Sequence, residues 1–480
     1  MKLTIAQTDR ALGAILGSAA GDALGAGYEF GSAYPGRGGP RMIGGGLGGF
    51  APGEWTDDTA MTWCVLQAAS EHEDLRAPEA LTAIARLFRA WIASGPADIG
   101  VQTSAVLRSV GADVTGDELT QAAAALHRRT GRTAGNGSLM RTAAVALRHL
   151  DDPSACAEAA RAVSDLTHAD PLAGDACVLW SLAIRHAILT GEIDVRVGLD
   201  YLSEPANWPE VIDEAETREP EFFSGNGFVV VALQAAWSAI WHTPVPPEDP
   251  RRHLEDALAT AIGIGHDTDT VAAIAGALLG AKWGVSAIPA RWRRILHGYP
   301  GLTGEDLLVP ASLAVGSPKG QWPDVDHQPN PTWLSGSALT RHPHDEDVWL
   351  SGADHLSSPP DGVTAVVSLC RVGRADVPEG MSHIAFRLMD EPDEASNPNL
   401  DFVLRDAAQA VADLRDEGHV VLLHCVAAQS RTPTVAAVYS MMRGVPHDEA
   451  LAAVCRALPD AWPNAGFLTA LGRLAPVLRP

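Results

Sequence analysis

Cysteine is scarce in this chain of 480 residues. There are six, Cys64, Cys156, Cys177, Cys370, Cys425 and Cys455, and no two are spaced as Cys-x-x-Cys. That scatter excludes a disulfide framework and a thiolate zinc site, and it fits reduced thiols in a cytoplasmic protein. Cations are scarce as well: 35 lysines and arginines face 59 acidic residues, for a formal net charge of −24 and a pI of about 5.0. Such a surface cannot neutralise a phosphate backbone or an anionic bilayer, which excludes non-specific nucleic-acid binding and membrane docking. A local basic pocket for a phosphorylated ligand stays open. Long hydrophobic runs are missing too. The apolar stretch at 11–26 follows Asp9 and Arg10 and is broken by Asp22. It is too short to span a bilayer and lacks the flanks of a signal peptide. No short-period repeat or low-complexity tract is present.

What remains is a chain with 46% hydrophobic residues, long enough for two or three domains of roughly 150 residues. Residues 1–300 carry Ala-rich segments with helical spacing at 78–93, 119–128, 157–164, 173–189, 229–241 and 254–262. Residues 301–335 are punctuated by Pro and Gly and form the expected linker. From 336 to 480 short apolar runs at 363–370, 383–389 and 419–425 alternate with helical segments at 400–416, 434–442 and 448–457. That alternation predicts an α/β domain around a largely parallel sheet.

Gly13, Gly17, Gly21 and Gly25 fall at intervals of four in the first helical segment. They share one face, where a helix or a ligand can come close. Three polar clusters carry chemistry. Glu54-Trp55-Thr56-Asp57-Asp58-Thr59 precedes a helical run at 60–69, and Gly265-His266-Asp267-Thr268-Asp269-Thr270 precedes one at 271–281. One acidic helix start is ordinary capping. Two of near-identical chemistry, meeting in space, would set four carboxylates against one point. Their repulsion calls for a divalent cation, and all-oxygen ligation suits Mg2+, Mn2+ or Ca2+. The third cluster, Gly135-Asn136-Gly137-Ser138, is a Gly-rich turn before a helix at 142–150, open to an anion or simply a capped turn.

The set Gly21-Asp22-Ala23-Leu24-Gly25 with Glu29, Thr56-Asp57-Asp58-Thr59, Gly135-Asn136-Gly137, Thr167-His168 and Asp267-Thr268-Asp269-Thr270 resembles the ADP-ribosylglycohydrolase family over residues 8–300. The resemblance implies an all-α orthogonal bundle with two divalent cations, Mg2+ or Mn2+. It implies metal ligands at Thr56, Asp57, Asp58, Asp267, Asp269 and Thr270. Glu29 becomes the catalytic acid/base, and Asn136, Gly137, Ser138 and His168 line the ADP-ribose site. Asp22 matches a motif position with packing as an equal explanation. The implied substrates are ADP-ribosylated protein, nucleobase or small molecule. Carboxylates and metal-held ribose hydroxyls suit cleavage through an oxocarbenium-like state.

In the C-terminal part, His424-Cys425 ends an apolar run and Arg431-Thr432 opens a helix. A strand–loop–helix turn aims backbone N–H groups at one centre, favours a thiolate and lets an arginine fork hold phosphoryl oxygens. The Cys-x5-Arg-Thr pattern resembles the dual-specificity branch of the protein-tyrosine-phosphatase superfamily over 336–480. By that resemblance Cys425 is the nucleophile, Arg431 binds the phosphoryl group of a phosphorylated substrate and Thr432 assists thiolate departure. Asp390 is the general acid, with Asp393 as fallback. Ala428 stands where the family has Gly; if that position needs positive φ, Ala costs about 1 kcal/mol or more. The sequence thus reads as a bifunctional hydrolase. The alternative is an ADP-ribose-binding module joined to a phosphate-binding pseudophosphatase.

Overall fold

The structure is a computed structural model that describes residues 2–36, 38–202, 207–328 and 336–478. It divides into two compact units, one from residues 1–288 and 295–317, the other from 289–294 and 318–480.

The first unit is helical. Its α-helices are α1 (Ile5–Gly25), α2 (Asp57–Glu71), α3 (Pro78–Ala93), α4 (Val101–Leu107), α5 (Gly116–Thr130), α6 (Ala143–Arg148), α7 (Pro153–Asp165), α8 (Pro171–Thr190), α9 (Trp208–Thr217), α10 (Val229–His242), α11 (His253–Gly263), α12 (Thr268–Trp283) and α14 (Leu308–Ala314). Proline fills the first turn of α3, α7, α8 and α9, where its missing N–H has no helical partner to lose. Among the described helices, α8 alone is long and apolar enough to cross a membrane by length and composition, and it is mostly buried in the bundle. Two helices start earlier than the apolar periodicity predicts. Asp57 and Asp58 fall in the first turn of α2, and Asp269 in the first turn of α12.

The spaced glycines account for how those two helix starts meet. α1 and α12 run antiparallel and in close contact. A Cβ on Gly13, Gly17 or Gly21 would overlap the backbone of Gly280, Gly276 or Ala272, and one on Gly25 would strike Thr268 and Asp269. Gly276 and Gly280 answer from the other side. Small residues on both faces bring the two backbones together, so the end of α1 is pressed against the start of α12. Thr268 Oγ1 ties the pair by donating to the Gly25 carbonyl at 2.9 Å.

The expected linker begins later than residue 301. Residues 297–303 form a small antiparallel pair, β1 (His297–Gly298) with β2 (Leu302–Thr303), and α14 packs on α1, α2 and α6. Leu308, Ala311 and Ala314 give α14 a buried face despite Pro310, which is tolerated in the first turn. Residues 329–335 of that stretch lie outside the described residues.

The second unit is α/β. Its sheet has the order β3-β4-β7-β5-β6, with β3 (Leu339–His342), β4 (Asp345–Ser351), β5 (Ala365–Ser368), β6 (Ser382–Ala385) and β7 (Val421–His424). Only β3–β4 is antiparallel; β4, β7, β5 and β6 run parallel. Its helices are α13 (Ala290–Arg293), α15 (Leu400–Asp416), α16 (Arg431–Met442), α17 (His447–Ala457) and α18 (Ala465–Leu474). The β3–β4 hairpin has no apolar run to announce it, because Asp345, Glu346 and Asp347 open β4 before Val348 and Leu350 enter the core. The carboxyl ends of the four parallel strands lie on one edge, where ligands of open α/β sheets bind.

Candidate functional site

The first site forms where α1, α2 and α12 converge. Asp22, fully buried in α1, accepts from the Thr56 N–H at 2.9 Å, the Thr59 N–H at 2.9 Å and the Thr59 hydroxyl at 2.6 Å. It therefore caps α2 from another helix and fixes the turn bearing Asp57 and Asp58. Asp58 Oδ2 accepts from Thr56 Oγ1 at 3.0 Å and Thr270 Oγ1 at 3.4 Å, which links the α2 and α12 starts. Asp269 Oδ1 accepts from the Thr270 N–H at 3.0 Å. Asp267 Oδ2 accepts from Asn136 Nδ2 at 2.7 Å. Glu29 lies in a turn after α1. It leaves helical geometry at ψ 134°, and the next residue, Phe30, has φ 46°. The Phe30 N–H donates to the His266 carbonyl at 2.7 Å, and His266 itself has φ 61°. Two strained residues, joined by one hydrogen bond, thus flank Glu29 and Asp267.

Two carboxylate triads result and share Asp269. Within each of Asp22/Asp58/Asp269 and Glu29/Asp267/Asp269, one oxygen per residue lies within 4.8 Å of the others. Burial comes first among the causes that raise these carboxyl groups, and neighbouring carboxylates add to it. Glu29 is pushed up to about 8 and Asp57 to about 7, while Asp58 and Asp269 sit well above the usual range. Burial also raises Asp267, and it raises Asp22 to about 6 against its threonine hydrogen bonds. Among the described residues no lysine or arginine pairs with the cluster. Glu29 Oε2 and Asp58 Oδ1 are buried without any partner. An orphaned anionic oxygen is costly in a protein interior. A buried, all-oxygen, uncompensated cluster fits hard divalent cations.

The expected residues take unequal places. Asp58, Asp267 and Asp269 enter the triads, and Thr56 and Thr270 hold Asp58. Asp57 is in neither triad: its Oδ2 accepts from the Gly100 N–H at 3.4 Å, and its side chain lines a cleft of about 380 Å3. Glu29, expected as acid/base, stands with Asp267 and Asp269 as a third potential ligand. Asn136, Gly137 and His168 line the same cleft. Ser138 does not. Its hydroxyl is buried, 2.9 Å from Ser164 Oγ and 3.4 Å from Cys177 Sγ, because the turn points it into the helix core. His168 is neutral, pushed down to about 3 first by burial and then by Arg141. Arg141 donates to Thr167 Oγ1 at 2.8 Å, and the same hydroxyl lies 2.7 Å from His168 Nδ1, which fixes the plane of the ring. Nε2 faces Gly135 and Gly137, where a Cβ would crowd the imidazole.

Two residues of the site escape a reading of the sequence. Asp98 sits on the cleft wall and raises both Glu29 and Asp57, but no periodicity marks it. Asn226 holds the Asp267 N–H through Oδ1 at 3.1 Å, and its carbonyl accepts from Asn136 Nδ2 at 3.0 Å. Its signal was available: Gly225-Asn226-Gly227 repeats Gly135-Asn136-Gly137.

The second site lies at the carboxyl edge of the parallel strands. Cys425 follows β7 directly and α16 opens at Arg431. Ala428, midway in the loop, has φ 56°, so the glycine position does need left-handed backbone. Arg431 Nη1 donates to the Leu369 and Leu388 carbonyls at 3.2 and 3.1 Å, while its buried Nε makes no hydrogen bond. Asp390 Oδ2 is 3.8 Å from that Nε, and Asn464 Nδ2 donates to its Oδ1 at 3.0 Å. Asp393 instead caps a turn through the Ala395 N–H. Thr432 is fully buried and its hydroxyl is 3.5 Å from the Ser351 carbonyl, with no bond to Cys425.

Behind Cys425 runs a buried chain. His424 Nδ1 lies 3.2 Å from the Cys425 carbonyl, which can only accept, so Nδ1 carries the proton. Burial holds this ring neutral, at about 4, so Nε2 accepts from the Ser368 hydroxyl at 2.7 Å. Ser368 Oγ then accepts from His383 Nε2 at 3.0 Å. β5 and β6 supply the two partners that the sequence motif lacks.

The sequence model of the ADP-ribosylglycohydrolase family matches residues 3–319. The ADP-ribosylarginine hydrolase Tri1 of Pseudomonas putida (strain GB-1) is 30% identical over 296 residues, covering 59% of this chain and 73% of the relative. The ADP-ribosyl-(dinitrogen reductase) glycohydrolase of Rhodospirillum rubrum is 29% identical over 296 residues, 59% of this chain and 89% of its own. A solved ADP-ribosylglycohydrolase-related protein complex aligns with TM-score 0.50 and 28% identity over 65% of this chain and 98% of that one. The C-terminal part resembles the fold of human DUSP28, with TM-score 0.27 and 23% identity over 30% of this chain and 97% of that one. By the match across its helical unit, the chain belongs to the ADP-ribosylglycohydrolase family.

Proposed function

We propose that the helical unit hydrolyses an ADP-ribosyl glycosidic bond with two divalent cations, and that the α/β unit hydrolyses a phosphate ester through Cys425. One observation carries the first reading. The α2 and α12 starts meet with Glu29 Oε2 and Asp58 Oδ1 buried and unpartnered. Mg2+ or Mn2+ held by Asp58, Asp267, Asp269 and Glu29, with Thr56, Asp57 and Thr270 beside them, would supply the positive charge that ribose hydroxyls and a developing oxyanion need.

The chain's own residues do the rest. His168 Nε2 and the open turn at Asn136-Gly137 grip the ADP-ribosyl group. Asp22 and Asn226 hold the carboxylates in place. Glu29 moves a proton between water and the leaving group. Asp98, a carboxylate on the cleft wall, suits a cationic leaving group, and the name of the Pseudomonas putida relative points to arginine as one acceptor. In the second unit the Cys425 thiolate attacks phosphorus, Asp390 protonates the departing oxygen, and water then cleaves the cysteinyl phosphate while Asp390 takes its proton back. Arg431 steadies the phosphoryl oxygens.

The pseudophosphatase reading is favoured by one feature, the left-handed Ala428 in the phosphate loop. A cytoplasmic setting is part of the proposal, supported by six free cysteines. The test is a pair of variants assayed with Mg2+ on ADP-ribosylated substrates and on an aryl phosphate. Asp57→Ala should remove only the first activity and Cys425→Ser only the second. Loss of both from either change would overturn independent sites, and absence of the second from the wild type would leave the phosphatase reading refuted.

A further inference from the structure

Beyond the cleft lies a second concavity of about 550 Å3, and Phe30 lines both. The groove is walled by Tyr28, Tyr34, Pro35, Ile262 and Ile264, and among the described residues that line it none is an acid, a lysine or an arginine. In a chain of net charge −24 that is a marked local departure. The groove starts at the reacting centre. Phe30 follows Glu29, His266 precedes Asp267, and the Phe30 N–H donates to the His266 carbonyl between them. Phe30 is 58% exposed and Tyr34 85% exposed, and the cleft rim adds Leu47 at 61% and Val101 at 89%. Large apolar side chains left open to water around a reaction centre mark a contact surface.

We propose that this groove holds the polypeptide on either side of the ADP-ribosylated residue, with apolar side chains of the acceptor seated against Phe30 and Tyr34. The inference rests on the ADP-ribosyl hydrolase reading and narrows it to macromolecular acceptors. The cleft and the groove share Phe30 as a wall, so whatever the acceptor carries beyond the scissile bond comes within reach of the groove. A nucleobase or small metabolite as leaving group would end in the cleft and leave the larger groove without a role. A peptide must continue past the scissile bond, and the uncharged groove is the surface continuous with that point.

The experiment compares two arginine conjugates on the full chain with Mg2+: ADP-ribosylated agmatine, and a ten-residue peptide with one ADP-ribosylated arginine flanked by leucines. The peptide should show at least tenfold higher kcat/KM, and in a Glu29→Gln background at least tenfold lower Kd by calorimetry. Tyr34→Ala should remove most of that ratio. Phe30→Ser, on the boundary of both concavities, is the second variant if Tyr34→Ala unfolds. Equal values for the two conjugates, or a ratio untouched by both variants, would overturn the groove. If neither conjugate is turned over, the arginine reading fails while the Kd comparison still decides the groove.

Discussion

Gly21→Ala tests the link from the glycine face to the carboxylate cluster. An added Cβ would overlap the Ala272 carbonyl of α12, five residues beyond Asp267. To restore ordinary contact the helices must part by about 1 Å. Overpacking of this kind costs about 1–3 kcal/mol, and the better helix propensity of Ala returns about 1 kcal/mol, so the net loss of stability is roughly 0–2 kcal/mol. Metal ligation is far less tolerant, since ligand distances hold to about 0.2 Å. A shift of α12 moves Asp267 and Asp269 away from Asp58, which stays on α2. Mg2+ or Mn2+ affinity should therefore fall at least tenfold while the fold survives. Calorimetric titration of the full chain measures the affinity, and urea unfolding measures the stability. Affinity within twofold of wild type would refute the claim that close helix approach sets the metal geometry.

Other outcomes follow from the same geometry. The cluster's carboxyl groups have raised values in the fold, so their contribution favours the metal-free protein below about pH 4 and is lost as pH rises through 6 to 8. Melting in EDTA should show Tm falling across that window, and the gain from added Mg2+ should be larger at pH 8 than at pH 5. Ala428→Gly relieves about 1–2 kcal/mol of left-handed strain and gives back about 0.5–1 kcal/mol in unfolded-state entropy, for a net gain of about 0–1.5 kcal/mol. Denaturant unfolding of the full chain reads it, together with higher turnover of an aryl phosphate. Ser368→Ala removes the donor to His424 Nε2, so nitrogen NMR should show a shift in the His424 tautomer; Ser368→Thr should restore it.

Much of this was legible in the residues themselves. The Thr-Asp-Asp-Thr and Asp-Thr-Asp-Thr stretches, the four-residue glycine spacing and Cys-x5-Arg are local patterns whose chemistry needs no neighbours. The α/β alternation after residue 336 also follows from apolar periodicity, although the acidic β3–β4 hairpin does not. What the chain order leaves open is which side chain faces which. Ser138 belongs to the same turn as Asn136 and Gly137, yet only packing against Ser164 and Cys177 turns it inward. Asp98 and Asn226 lie in loops without periodicity and enter the site because helices far apart in sequence carry those loops to one cleft.

The sequence by itself therefore determined which chemical groups the protein owns and which helix or strand starts carry them, because capping, periodicity and motif spacing are local. Tertiary structure alone decided that Asp22 caps α2 from another helix, that Glu29 joins Asp267 and Asp269, and that Ser368 and His383 stand behind Cys425. Those pairings depend on backbones approaching within van der Waals contact across tens to hundreds of residues, and no local rule records that distance.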